Sequence, residues 1–123
     1  FDALGPRDDA AVATLADAAT FHQAMTPAGI EERSMMIADR LRAGLQDLGV
    51  TFVSSANPAF ASSVVILSAP GENSRKLVGQ VFDDSGIQTA GTGGLRMSPH
   101  VYNTEDHVDR VIAAISKSRA MLS

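Results

Sequence analysis

Arg96 lies just beyond a glycine-rich run, Gly91-Thr92-Gly93-Gly94, in the stretch Leu95-Arg96-Met97-Ser98, whose composition suits a short β-strand over 95–98. Side chains alternate along a strand, so Leu95 and Met97 are expected to face one way and Arg96 and Ser98 the other. Arg96 would then project from a sheet edge beside a loop whose glycines let a ligand or a moving backbone come close. A guanidinium fork matches a carboxylate with two parallel N–H bonds, so carboxylate binding is the chemistry this position could perform. On spacing alone, an ordinary exposed strand arginine is the competing reading. The glycines could also cradle a phosphate, but the lysine and following helix that make such loops specific are missing, which leaves a tight turn or hinge as the expected role.

Other reactive residue types carry less. Ser98, His100 and Asp106 invite a hydrolase reading, yet nothing around Ser98 resembles a nucleophile elbow, and closeness in sequence does not make a triad. His107 stands between Asp106 and Asp109, a poor arrangement for a metal, and the acids are better explained as helix-start residues. His22 reads as a helix-surface or interface residue. The five methionines, Met35-Met36 among them, read as packing. No metal site is expected. With no cysteine, disulfides, thiolate metal sites and cysteine nucleophiles are excluded within these 123 residues.

Composition narrows the class. At 45% hydrophobic and 20% charged, the chain is too apolar for a disordered segment and ordinary for a packed domain. A formal net charge of −4 with ten scattered basic residues lacks the positive footprint that nucleic acid or an anionic membrane requires, so neither is an expected partner. No apolar run approaches the roughly 20 residues of a membrane span, and the N-terminus shows no basic segment followed by a hydrophobic one. The compartment is left open.

The elements that must position these residues follow from periodicity. Residues 1–9 read as a loop ending in capping aspartates. Val12, Leu15, Ala16 and Ala19 recur at helical spacing and predict a helix to Met25. Thr26 can cap a second helix with Pro27 in its first position. Ile30, Ile37, Leu41, Leu45 and Leu48 form its stripe, Gly49 ends it, and Arg33, Asp39, Arg40, Arg42 and Asp47 lie on a solvated face. Strands are expected over 50–54 and 63–67; the continuous apolar run from Val64 to Leu67 suggests an inner strand covered on both faces. A third helix, capped by Asn73 or Ser74, carries Leu77, Val78, Val81 and Phe82 and closes at Gly86. Residues 87–89 can add a strand. Asn103 with Asp106 resembles a capping box before a last helix bearing Val108, Val111, Ile112 and Ile115. The expectation is an α+β fold, a small, mainly antiparallel sheet of three to four strands covered by helices, in one domain: a loop over 1–9, two helices over 10–48 and a sheet-and-helix portion over 50–123. Two long helices before the first strand leave surface for something else to cover. A stand-alone interaction or regulatory domain would fit this pattern too.

The run from Leu95 to Asp106 resembles the R-x-S-x-H-x-Y-N-T stretch of the class V aminotransferase superfamily, and Leu4-Gly5-Pro6-Arg7-Asp8-Asp9-Ala10 and Ile30-Glu31-Glu32-Arg33 resemble its isopenicillin N epimerase-like branch. The resemblance implies a fold type I enzyme, a homodimer, in which a large domain holds pyridoxal phosphate on a lysine and this chain is the C-terminal domain that closes over an amino-acid substrate. It further implies that Arg96 holds the substrate's α-carboxylate. In relatives a Gly-Thr pair reaches the cofactor phosphate of the neighbouring subunit; Gly5 matches, Pro6 replaces the threonine, and Arg7 could serve the phosphate instead. Cysteine desulfurases of the superfamily carry a nucleophilic cysteine before the arginine strand. Here 89–94 has none, which disfavours that chemistry. Lys76 and Lys117, the only lysines, fall on helix positions expected to face water, so these residues alone should hold no catalytic group and be inert.

Overall fold

A computed structural model describes residues 8–55 and 57–122, which divide into two compact units, Phe1–Glu31 and Glu32–Ser123. In the first, α1 spans Asp9–Met25 and starts where the Asp8 carboxylate accepts the Ala11 N–H at 3.0 Å. The helix forms as its spacing predicts, but its apolar residues are not core: none is buried, and Val12, Leu15 and Phe21 are 56%, 69% and 64% exposed. At Thr26 the backbone turns to φ 58° and ψ 142°, a conformation strained for a β-branched residue. The Thr26 hydroxyl accepts the Gly29 N–H at 3.1 Å, and Pro27 opens α2, Pro27–Gln46.

The second unit is built on one apolar cluster. It takes Ile37, Ala38, Leu41 and Leu45 from α2, Val65 and Leu67 from β1 (Val65–Leu67), and Leu77 and Val81 from α3 (Gly71–Ser85). Leu95 and Met97 of β2 (Leu95–Met97) and Val108, Val111, Ala114 and Ile115 of α4 (Glu105–Lys117) complete it. These are the stripes expected from spacing, except that Phe82 is 47% exposed, Ile30 is half-buried and not part of the cluster, and Val78, Ile112 and Leu48 only border the core. Gly44 on α2 lets α4 come close, since a β-carbon there would overlap the Ile112 side chain.

The sheet is smaller than the expected three to four strands. β1 and β2 pair antiparallel, Val65 with Met97, Ile66 with Arg96 and Leu67 with Leu95; the flanking segments are reduced to single bridges, Phe52 to Leu67 and Ala90 to Arg96. On one flank Val53 N–H reaches the Ile66 carbonyl at 2.8 Å, but the return bond never forms, because the Ser54 hydroxyl accepts the Ile66 N–H at 3.1 Å. On the other, the chain beyond Ser98 folds away: Asn103 accepts the His100 N–H through its side chain and donates its own N–H to the His100 carbonyl, and 87–89 gains no strand partner among the described residues. Only one face of β1 is fully covered, with Val65 and Leu67 buried and Ile66 half-buried.

Helix starts also differ by a few residues. α3 begins at Gly71 after Pro70; Ser74 bonds back to the Gly71 carbonyl and Asn73 donates to the Met121 carbonyl, so neither caps. Gly86 does close the helix in the left-handed region, φ 71°. α4 is capped by Thr104, not Asn103: the Thr104 hydroxyl accepts the His107 N–H and the His107 ring accepts the Thr104 N–H, a reciprocal box at 3.3 Å each way. Thr104→Ala is therefore expected to cost about 1 kcal/mol, read as a lower urea midpoint at unchanged slope.

The charged face of α2 is only partly solvated. Arg33 donates to the Asn103 carbonyl at 3.0 Å, and Arg42, whose side chain is 13% exposed, donates to the Ser62 carbonyl and pairs with Asp39. Arg40 grips Asp109 of α4 with both fork nitrogens and reaches Glu105 at 3.2 Å; the hydrogen bond to Asp109, then the charges of Asp109 and Glu105, outweigh desolvation and hold it further toward its charged form.

Candidate functional site

Arg96 is held on both flanks. Its N–H and carbonyl both pair with Ala90, at 2.7 and 2.9 Å, which closes the five-residue loop 91–95, while its other flank lies against Ile66 in β1. Gly93 and Gly94 make this closure possible with φ 74° and 126°. At Gly94 a β-carbon would run into the Leu67 carbonyl, so only glycine lets the loop pass over β1. The run is a tight turn, as its composition suggested.

Leu95 and Met97 point into the core and Arg96 away from it, as alternation predicts. The Arg96 side chain is exposed and makes no hydrogen bond or ion pair with any described residue. Arg40, Arg42 and Arg110 are paired, to Asp109, Asp39 and Asp106, whereas Arg75 on α3 and Arg119 share with Arg96 the lack of an ion pair among the described residues. Of these three only Arg96 stands on a strand. Arg96 is thus a guanidinium with a fixed root and a free fork, which is what bidentate capture of an external carboxylate needs.

The hydrolase residues do not assemble. Asp106 is 3.1 Å from Arg110, and the buried Nδ1 of His100 has no partner among the described residues, its ring stacking on Tyr102 at 5.3 Å. His22 lies exposed on α1 against Phe21. No group of metal-binding side chains forms among the described residues. Lys76 is exposed on α3, and Lys117 is 3.5 Å from Asp84 on the surface. Neither suits the aldehyde of a carbonyl cofactor, which calls for a desolvated amine. Gly5, Pro6 and Arg7 lie outside the described residues.

Periodicity gave no hint of a cavity of about 440 Å³ on the core-facing side of β2, lined by Met97 but not by Arg96. Its walls come from four separate stretches of chain, so no local pattern could reveal it.

No family model matches the chain, and no curated protein matches it. Among solved structures it is similar to the apo structure of a cysteine desulfurase from Thermococcus onnurineus NA1, with a TM-score of 0.61 and 22% identity over 72% of this chain. The match covers 26% of that protein, so this chain spans well under half of its length. At such identity the likeness is one of fold, and it agrees with a helix-rich α+β unit bearing a small antiparallel sheet.

Proposed function

We propose that this chain is the C-terminal, substrate-clamping domain of a pyridoxal-phosphate enzyme of the class V aminotransferase superfamily, and that Arg96 grips the α-carboxylate of an amino-acid substrate. The observation that carries this reading is the free, exposed guanidinium of Arg96 on a strand pinned on both sides. The fold likeness to part of a cysteine desulfurase supports it. Arg96 would orient the substrate by fixing its acid group, which sets the torsion about the bond to Cα. The cofactor, when bound, supplies an electron sink for that bond. No described lysine suits it, so its anchor would belong to a large domain beyond these residues.

Desulfuration is disfavoured, because the chain has no cysteine to accept sulfur. An epimerase-like, lyase or transaminase reaction in a homodimer, of the isopenicillin N epimerase-like branch, fits better. The test is cofactor content: the natural protein, purified and treated with alkali, should release about one pyridoxal phosphate per chain, and a preparation with none would refute the reading. A stand-alone interaction domain is the second reading, favoured by the exposed Val12, Leu15 and Phe21 of α1. It predicts no cofactor.

A further inference from the structure

The cavity on the core side of β2 differs in character from the Arg96 face. Its floor is apolar, made by Ile37, Leu41, Met97 and Val111, and its volume of about 440 Å³ falls within the roughly 300–1,000 Å³ of small-molecule sites. What its rim offers follows from bonds already made. The His107 Nδ1 accepts the Thr104 N–H, so the neutral ring carries its proton on Nε2 and presents a donor. The Asn103 Oδ1 accepts the His100 N–H, which leaves the Asn103 amide NH₂ unused. Arg110 spends Nη1 on the Ser85 carbonyl and Nε on Asp106, leaving Nη2. The Thr89 hydroxyl is buried, in a residue only 8% exposed, and has no partner among the described residues. A buried hydroxyl without a partner costs about 1–3 kcal/mol, so it is a group that a ligand can satisfy.

Unused donors therefore dominate this rim, one of them on the cationic Arg110, whose Nε is paired with Asp106 outside the cavity, and among the described residues no carboxylate lines it. We propose that it binds a small amphiphilic carboxylate, a medium-chain acid whose tail fills the apolar floor and whose head is held by Arg110, His107 and Thr89. The site is independent of Arg96, which faces the opposite side of β2. Its success or failure is separate from the cofactor assay.

Octanoate, octylamine and octanol are the probes, titrated into the labelled protein and followed by NMR. Octanoate should shift the Met97 methyl and the Thr89, His107 and Val111 amides saturably, and octylamine should not. Arg110→Gln should weaken octanoate about tenfold, the loss expected for one charge-assisted bond. Thr89→Val removes the hydroxyl at nearly constant shape, so it should leave thermal stability unchanged or raised while weakening octanoate. Saturable shifts elsewhere only, octylamine binding as tightly as octanoate, or unaltered affinity in the stably folded Thr89→Val protein would each overturn the proposal.

Discussion

Gly94→Ala should destabilise the protein by about 2–4 kcal/mol, a loss of the size seen when strain and overpacking coincide. Gly94 sits at φ 126°, where L residues rarely go, and its missing β-carbon would fall on the Leu67 carbonyl in β1. The clash cannot be relieved by a side chain swinging aside, because the obstacle is backbone. Relief requires β1 and β2 to part, and that pair supplies Val65, Leu67, Leu95 and Met97 to the core. Gly93→Ala is the control: φ is 74° there but the space is open, so strain alone applies, about 1 kcal/mol. Urea denaturation of the two variants checks the argument, and equal midpoints would show that the Leu67 contact has no energetic weight.

On the proposed reading, Arg96→Ala in the full-length protein should lower kcat/KM for a carboxylate-bearing substrate roughly ten- to a hundredfold, the equivalent of about 1.5–3 kcal/mol for a charge-assisted contact. Stability should hardly move, by under about 0.5 kcal/mol, because the side chain is exposed and bonds to no described residue. Arg96→Lys keeps the charge but loses the fork and should fall between. The amine analogue of the substrate, lacking its acid group, should be turned over equally by parent and variant. Unchanged kinetics with the carboxylate substrate would remove Arg96 from its role.

Which features were legible in the sequence follows from how local their causes are. The four helices and the left-handed stop at Gly86 could be read because capping groups and apolar spacing act within a few residues. The direction of Arg96 was legible for the same reason, since alternation needs only the strand itself. The flanking strands were not. Val50, Thr51, Phe52 and Val53 have strand-forming side chains, but whether a ladder grows past one pair was decided by Ser54 competing for a single N–H. The shift of the α4 cap from Asn103 to Thr104 had a similar origin: Asn103 was already engaged with His100. The partial burial of Arg33 and Arg42 and the cavity beside Met97 depend on segments distant in sequence.

The Ser54 hydroxyl does more than shorten a ladder. A sheet that ran on through 50–54 and 87–89 would offer an incoming chain a long row of open amides, the template on which aggregates zip together. Here each flank contributes one bridge, and the Ile66 amide that would invite the next pairing is already satisfied within the protein. The short sheet that carries Arg96 is therefore kept from acting as a seed for backbone-to-backbone assembly.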